Sequence, residues 1–243
     1  MCRLCWLFLL AVSPGLSAES LRAVVSETNI PPFVMSKEDQ LSGGLVLDTV
    51  AEVAKQLQLP LEVDAIPRGR TEAWLNSGQA DIWCFTNPAW VKDPQTLIWS
   101  DVMYSNIELL VRLESSHPIN TVLDLHGKTI GTSRGFRYPE LDPVFAAGFA
   151  RRDDAISLSQ NLQRLKQVRV DVVVADSITF NYYLKSSQQT ESAVPIVADP
   201  MWTAAINNYC AVSSQDPQKA QLILQALTRI AEQQMTSWLA AYQ

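Results

Sequence analysis

The chain has 243 residues, 47% of them apolar and 18% charged, with a formal net charge of −6. That length holds one large domain or two small ones with real cores. The acidic balance argues against nucleic acid as a partner, because phosphate backbones are held by basic surfaces.

The first twenty residues, MCRLCWLFLLAVSPGLSAES, place Arg3 before an apolar run from Leu4 to Val12, then Pro14 and Gly15, then small residues around Ala18. This is the layout of a secretory signal peptide, and the run is about half the length of a membrane-spanning helix. Residues 1–18 are expected to be removed, leaving an exported, soluble chain that starts near Glu19. Arg3 is the single charge in that segment, so its loss takes the net charge from −6 to −7. Cys2 and Cys5 leave too, so their CxxC spacing marks no metal or redox site. Cys84 and Cys210 remain in strand-like apolar segments. An oxidising compartment allows them to pair, but two buried free thiols are the simpler expectation.

LRAVVSE (Leu21–Glu27) reads as a first strand that runs into NIPPF, whose two prolines forbid regular pairing. Gly43 and Gly44 open a helix in which Val46, Val50, Val53 and Leu57 recur at helical spacing until Pro60 stops it. LEVDAI is a second strand, RTEAWLNSG a short helix closed by Gly78, and ADIWCF a third strand. IELLVRL (Ile107–Leu113) is extended and apolar. GKTIGT is a strand, YPELDPVFAAGF a helix with Pro139 in its first turn, SQNLQRLKQV a helix with Leu162 and Leu165 inward, and VDVVVAD a strand. NNYCAVSS (Asn207–Ser214) is again extended and apolar, so it and Ile107–Leu113 suit two connecting strands at a hinge. The last stretch opens with Asp216 as a cap and Pro217 at the first helical position, and suits one long or two short helices packed on the first lobe. The alternation predicts an α/β fold with mostly parallel strands in two βαβ layers.

Buried strands read as continuous apolar runs, and ligands bind beyond their carboxyl ends in open α/β sheets. VRVDVVVADS ends such a strand on Asp176, which suits either a ligand contact or a cap for the helix from Ser177. Arg68 and Arg70 in IPRGRTEAW, and Arg134 and Arg137 in GTSRGFRYPE, stand where strands hand over to helices. There a guanidinium adds a bidentate grip to a site that already favours anions, although any one of them also suits a solvated surface. Phe33, Trp90, Phe136 and Tyr138 sit at comparable loop positions and suit a ligand wall. His117 and His126 read as loop and turn residues without a nucleophile to serve. No HExxH, paired CxxC or glycine-rich phosphate loop appears, so no metal or cofactor is expected.

The order of NIPPF, GGLVLDTVAEVAKQL, LNSGQADIW, WSDVMYSNIELLVR, LDLHGKTIGTSRG and RVDVVVADS resembles the family 3 extracellular solute-binding proteins, periplasmic receptors that feed polar amino acids to ABC importers. The resemblance spans essentially the whole mature chain. It implies a two-lobed, type II periplasmic-binding-protein fold that closes on a small ligand, with residues 19–106 and 208–243 as one lobe and 107–207 as the other. It also implies a monomer whose partner is an ABC-transporter permease or a membrane sensor. In amino-acid-binding members an Asp at the end of a second-lobe strand takes the ligand's α-ammonium, and Asp176 matches it. The arginine for the α-carboxylate stands six residues before the start of an FSD-like segment, here WSD from Trp99, and that count falls on Asp93. GFRY replaces a threonine-rich turn. Arg70 or Arg137 is then expected to substitute, and Thr86 matches a ligand-contacting hydroxyl. The expected function is capture of an amino acid or related zwitterion or carboxylate for import, without catalysis. A sensor input, or a cyclohexadienyl-dehydratase-like enzyme using Glu72, Glu108 or Glu140 as acid, are the alternatives.

Overall fold

The computed structural model describes residues 19–26, 29–38, 40–187 and 194–242. The expected leader at residues 1–18 lies outside them, as does Glu27 at the end of the first expected strand. β1 (Leu21–Ser26) is almost wholly buried, as its apolar run requires of a central strand. After the prolines, β2 (Met35–Lys37) and β3 (Gln40–Gly43) pair as a short antiparallel ladder. α1 (Leu45–Leu57) buries Leu45, Val46, Val50 and Val53 along one stripe and ends at Gln58 in the left-handed conformation. Gly44 lies at φ +111, and a Cβ there would stand 2.6 Å from the Phe33 carbonyl oxygen. Glycine therefore lets the start of the helix tuck under residue 33.

β4 (Leu61–Ile66) pairs parallel with β1. A 3-10 turn at Arg68–Arg70 leads into α2 (Thr71–Asn76), and Gly78, at φ +70, donates to the Leu75 carbonyl in the expected C-terminal turn. β5 (Ile82–Thr86) is buried throughout and lies parallel to β1 on its other side. β6 (Ile98–Trp99) and β7 (Tyr104–Asn106) lead into β8 (Glu108–Leu113). A second alternating set follows: β9 (Thr129–Ser133), α3 (Asp142–Ala146), β10 (Arg151–Ala155), α4 (Leu158–Lys166), β11 (Val172–Asp176) and α5 (Ser177–Ser187). β12 (Ile196–Pro200) and β13 (Ile206–Val212) carry the chain back to α6 (Pro217–Gln233) and α7 (Met235–Tyr242).

The strands form two main sheets, one ordered β4-β1-β5-β13-β6 with β7 on β13, the other β10-β9-β11-β8-β12. Each has a parallel βαβ half, as expected, and an antiparallel half built by the strands that carry the chain between lobes. The crossing is narrower than the two apolar segments suggest. β8 is central in the second sheet and most of β13 in the first, while β7 pairs with Ile206–Asn208 between them. The Asn208 side chain donates to Asn106 Oδ1 at 2.8 Å and ties the two connecting strands together.

The first lobe's core joins β1 and β5 to α1, α6 and α7, while the second packs Leu162 and Leu165 of α4 against β8 and β11. Ile178 of α5 is buried within the first lobe's cluster, so the lobes touch beside the crossing.

Three expectations need correction. Cys84 and Cys210 are joined in a disulfide, not free thiols. They face each other in the β5–β13 ladder with Cα atoms 3.9 Å apart, a register that the sequence of either strand alone does not display. The helix expected across YPELDPVFAAGF begins only at Asp142 and has Pro143, not Pro139, in its first turn. The Tyr138 carbonyl accepts from both Leu141 and Asp142 N–H, which closes residues 138–142 as a turn. β10, with the sequence RRDDA, was missed because its charge hides a strand pattern. It is an edge strand in which Arg152 pairs with Asp154 at 2.9 Å and Asp153 with Arg164, while Arg151 donates to the Thr129 hydroxyl.

Candidate functional site

A cavity of about 120 Å³ lies between the two lobes. Its first-lobe wall is aromatic. Phe33 reaches it from the turn after the prolines, Phe85 from the end of β5 and Tyr104 from β7. The Phe85 and Tyr104 rings meet edge to face at 5.1 Å, and Phe33 stacks on Tyr104 at 6.1 Å. Phe85 is held at φ +61, a conformation that costs a bulky residue about 1–3 kcal/mol and recurs at ligand clamps. Trp90 lines the cavity from a 3-10 turn at Pro88–Trp90. Asn87 fixes that turn by accepting from Ala89 N–H and donating to the Asn207 carbonyl of β13.

The second-lobe wall is polar and acidic. Asp176 ends β11, lines the cavity and also caps α5, so the two roles its spacing left open coincide in geometry. Its Oδ1 accepts from the N–H groups of Ile178 and Thr179 at 3.0 Å, and the Thr179 hydroxyl donates to Oδ2. Burial pushes the carboxyl above its usual range against the pull of these hydrogen bonds. Among the described residues no Arg or Lys forms an ion pair with it.

Glu108 stands directly opposite Asp176 in the antiparallel β8–β11 ladder and lines the same cavity. Burial, then Asp176 and Glu140, raise its pKa to about 7. Of the three carboxyls named for acid chemistry, it alone lines the cavity. Arg137 enters from the loop after β9 and is exposed. Tyr138 also lines the cavity, but its hydroxyl accepts from Ser133 N–H at 2.9 Å and its ring lies under the Arg152 guanidinium at 5.3 Å, so it braces the loop.

The Arg70 expectation is corrected. Its side chain is exposed and lines no part of the cavity, whereas Arg68 is buried. In a 3-10 turn, positions two apart point in different directions. Arg68 lies over the Trp83 ring at 4.2 Å and donates to Thr71 Oγ1 and the Trp90 carbonyl. Thr86 does not line the main cavity. It borders a recess of about 20 Å³ with Arg68, Arg137, Phe85 and Trp90. His126 packs edge-on against Phe149, away from the cavity. Among the described residues no group of three or more His, Cys, Asp or Glu side chains is placed to hold a metal ion, and no helix is long and apolar enough to cross a membrane.

The sequence matches the profile of the bacterial extracellular solute-binding proteins, family 3, over residues 23–241. The chain belongs to this family. An ancestral arginine-binding protein bound to arginine superposes with a TM-score of 0.75 at 20% identity, covering 92% of this chain and 97% of that one. The substrate binding protein of an amino acid ABC transporter gives 0.72 at 16% identity, with 92% and 99% covered. The periplasmic VFT2 domain of Bordetella pertussis BvgS gives 0.70 at 18% identity, with 92% and 93% covered. A comparison with curated proteins finds no match. These likenesses establish the two-lobed, type II periplasmic-binding-protein fold.

In this family 3 protein, the residue that sequence reasoning undervalued is Glu108. It follows the crossing strand in the segment SNIELLVR, and only the register opposite Asp176 reveals its setting. Replacing it gives a pH-dependent expectation. A carboxyl whose folded pKa is raised to about 7 stabilises the fold below its ordinary range and loses that contribution as pH rises through 7. Glu108→Gln stays neutral at every pH. The variant is therefore expected to gain about 2 kcal/mol over the parent at pH 8 and almost nothing at pH 5, after discounting for partial solvent exposure. Thermal midpoints of both proteins at the two pH values check this.

Proposed function

We propose that this family 3 protein is an exported solute-binding protein that captures an amino acid or a closely related zwitterion between its lobes. The observation that carries the reading is Asp176, a carboxylate that forms no ion pair among the described residues and shares a cavity with three aromatic rings. An ammonium group satisfies such a site in two ways: it neutralises the carboxylate in a low-dielectric setting, and its hydrocarbon attachment packs on the rings. Phe33, Trp90 and Tyr138 supply walls, and Arg137 offers an anion partner at the mouth.

Residues 107–207 close on residues 19–106 and 208–243 about the paired strands β7 and β13. A ligand that touches both walls favours the closed form by its differential affinity for it. The closed shape is what a membrane partner reads, and we infer an ABC-type permease. The likenesses to an amino acid ABC transporter's substrate binding protein and to a BvgS domain are compatible with importer and sensor partners alike. We assign no reaction to the cleft.

Thermal unfolding of residues 19–243 against amino acids, amines, small carboxylates and sugars tests the reading. A ligand at a hundred times its Kd adds roughly 2.7 kcal/mol, or several degrees for a chain of this size. Midpoint shifts confined to ammonium-bearing compounds are expected. Shifts with sugars or simple carboxylates alone, or none at all, sink it.

A further inference from the structure

Two polar side chains of the cavity, Glu108 and Tyr104, have no hydrogen-bond or ion-pair partner among the described residues. Glu108 stands opposite Asp176 in the antiparallel β8–β11 ladder. Directly opposed residues share one face of a sheet with Cβ atoms about 4.5–5.5 Å apart, so the two carboxyls point the same way. Their support differs. Asp176 accepts from the Ile178 and Thr179 N–H groups and the Thr179 hydroxyl, and the start of α5 favours its negative charge. Glu108 has no such donors.

Two carboxylates this close in a partly enclosed cavity do not both stay charged without a cation. The proton settles on the one that lacks donors. Burial, then Asp176 and Glu140, accordingly place the Glu108 pKa at about 7. Around it, Asp176 comes from β11, Tyr104 from β7, and Arg137, Tyr138 and Glu140 from the loop after β9, while β12 and α5 bring the non-ionising Met201 and Thr179. Arg137 is the cation of the set, and it is exposed and forms no ion pair with Glu108. Tyr104 is 7% exposed, and burial together with the charge of Asp176 keeps its hydroxyl protonated. An ammonium group has three N–H donors and no acceptor. Asp176, Glu108 and Tyr104 offer it three oxygens around one space.

We propose that the ligand's ammonium displaces a proton from Glu108, so that capture is an exchange of one cation for another and seats the ammonium on Asp176, Glu108 and the Tyr104 hydroxyl. The O–H bond of the Glu108 carboxyl breaks, its proton passes to water or buffer, and the ammonium keeps all of its own protons. This rests on the solute-binding reading and deepens it. A bound cation favours the charged carboxylate, so affinity rises with pH through 7, where the competing proton leaves unaided.

The test is calorimetry at pH 6 and pH 8, in buffers of differing ionisation enthalpy, with the standard amino acids, putrescine and methylammonium on the parent, Glu108→Gln and Tyr104→Phe proteins. A group that titrates near 7 is about nine-tenths protonated at pH 6 and about one-tenth at pH 8. For the compound that binds the parent best, about 0.9 proton is expected to be released per ligand at pH 6 and about 0.1 at pH 8, with Kd about tenfold weaker at pH 6. Glu108→Gln is expected to release none, to bind equally at both pH values, and to be at least about tenfold weaker than the parent at pH 8. Tyr104→Phe is expected to keep the release and lose about tenfold in affinity. Binding to the parent with no proton release and one Kd at both pH values overturns the exchange and leaves the solute-binding reading standing. Release that persists in Glu108→Gln removes Glu108 from the role, and an unchanged Kd in Tyr104→Phe removes the hydroxyl from the seat. Binding of none of these compounds at either pH overturns both readings.

Discussion

Removing the Cys84–Cys210 disulfide is expected to lower the stability of the protein by about 5 kcal/mol, or roughly 10–20 °C in midpoint. The cysteines are 126 residues apart, so the bond closes a loop that contains the whole of the β10-β9-β11-β8-β12 sheet. In the chain-entropy account, a cross-link of that span removes much of the freedom of the unfolded chain. Both residues are at most 1% exposed, so reductant reaches the bond only when the strands open. The check is denaturant unfolding of the parent with and without dithiothreitol, beside a Cys84→Ala/Cys210→Ala protein. The reduced parent and the double variant are expected to share one lowered midpoint. A midpoint unmoved by reductant would show that the bond adds nothing to the β5–β13 ladder that joins these strands.

The second large effect lies at the opposite end of the first lobe. Asp81 sits just before β5 and accepts from Arg22 N–H, Arg22 Nε and Lys219 Nζ through Oδ2, and from Arg22 Nη2 through Oδ1. It thereby joins β1, β5 and α6. Lys219 and Asp81 side chains are 8% and 7% exposed. Breaking a buried pair from one side costs about 3–5 kcal/mol, and Asp81→Ala is expected near the lower end because Lys219 keeps the exposed Glu19 carboxylate at 3.7 Å and the Ser20 carbonyl. Burial raises the Asp81 pKa, but the bonds from Arg22 and Lys219 outweigh it and hold the carboxyl below its usual range. A lowered folded pKa means that this contribution is present above the ordinary carboxylate range and is lost as pH falls through the folded value. The gap between parent and variant is therefore expected to be wide at pH 7 and to narrow at pH 3. A gap of equal size at both values would place the loss in packing, not charge.

The parts of the fold legible in the sequence were those written in local pattern. Val46, Val50 and Val53 recur at helical spacing and form the buried stripe of α1. Asp216 and Pro217 start α6 where cap chemistry puts them, with Asp216 Oδ1 accepting from Gln218 and Lys219 N–H. The apolar run from Val172 ends on Asp176 at the cavity, because such a strand is buried until its carboxyl end. What the sequence concealed depends on partners distant in the chain. The disulfide needs the β5–β13 register. Glu108 becomes Asp176's neighbour only through the β8–β11 register. Arg68 and Arg70 are equivalent as letters, and the 3-10 turn alone decides which one faces Trp83. β10 escaped because four charged residues on an edge strand look like a loop until the ion pairs of Arg152, Asp153 and Asp154 and the bond from Arg151 to the Thr129 hydroxyl are seen.

The most direct test of the binding account is calorimetry of Asp176→Asn with the ammonium-bearing compound that stabilises the parent best. Asparagine caps a helix as well as aspartate does, so α5 keeps its start while the charge is lost. The unliganded variant is expected to melt within about 1 kcal/mol of the parent, with affinity for that compound lowered at least about a hundredfold. Unchanged affinity in a normally stable variant would contradict the account and leave Asp176 with the capping of α5 as its whole role.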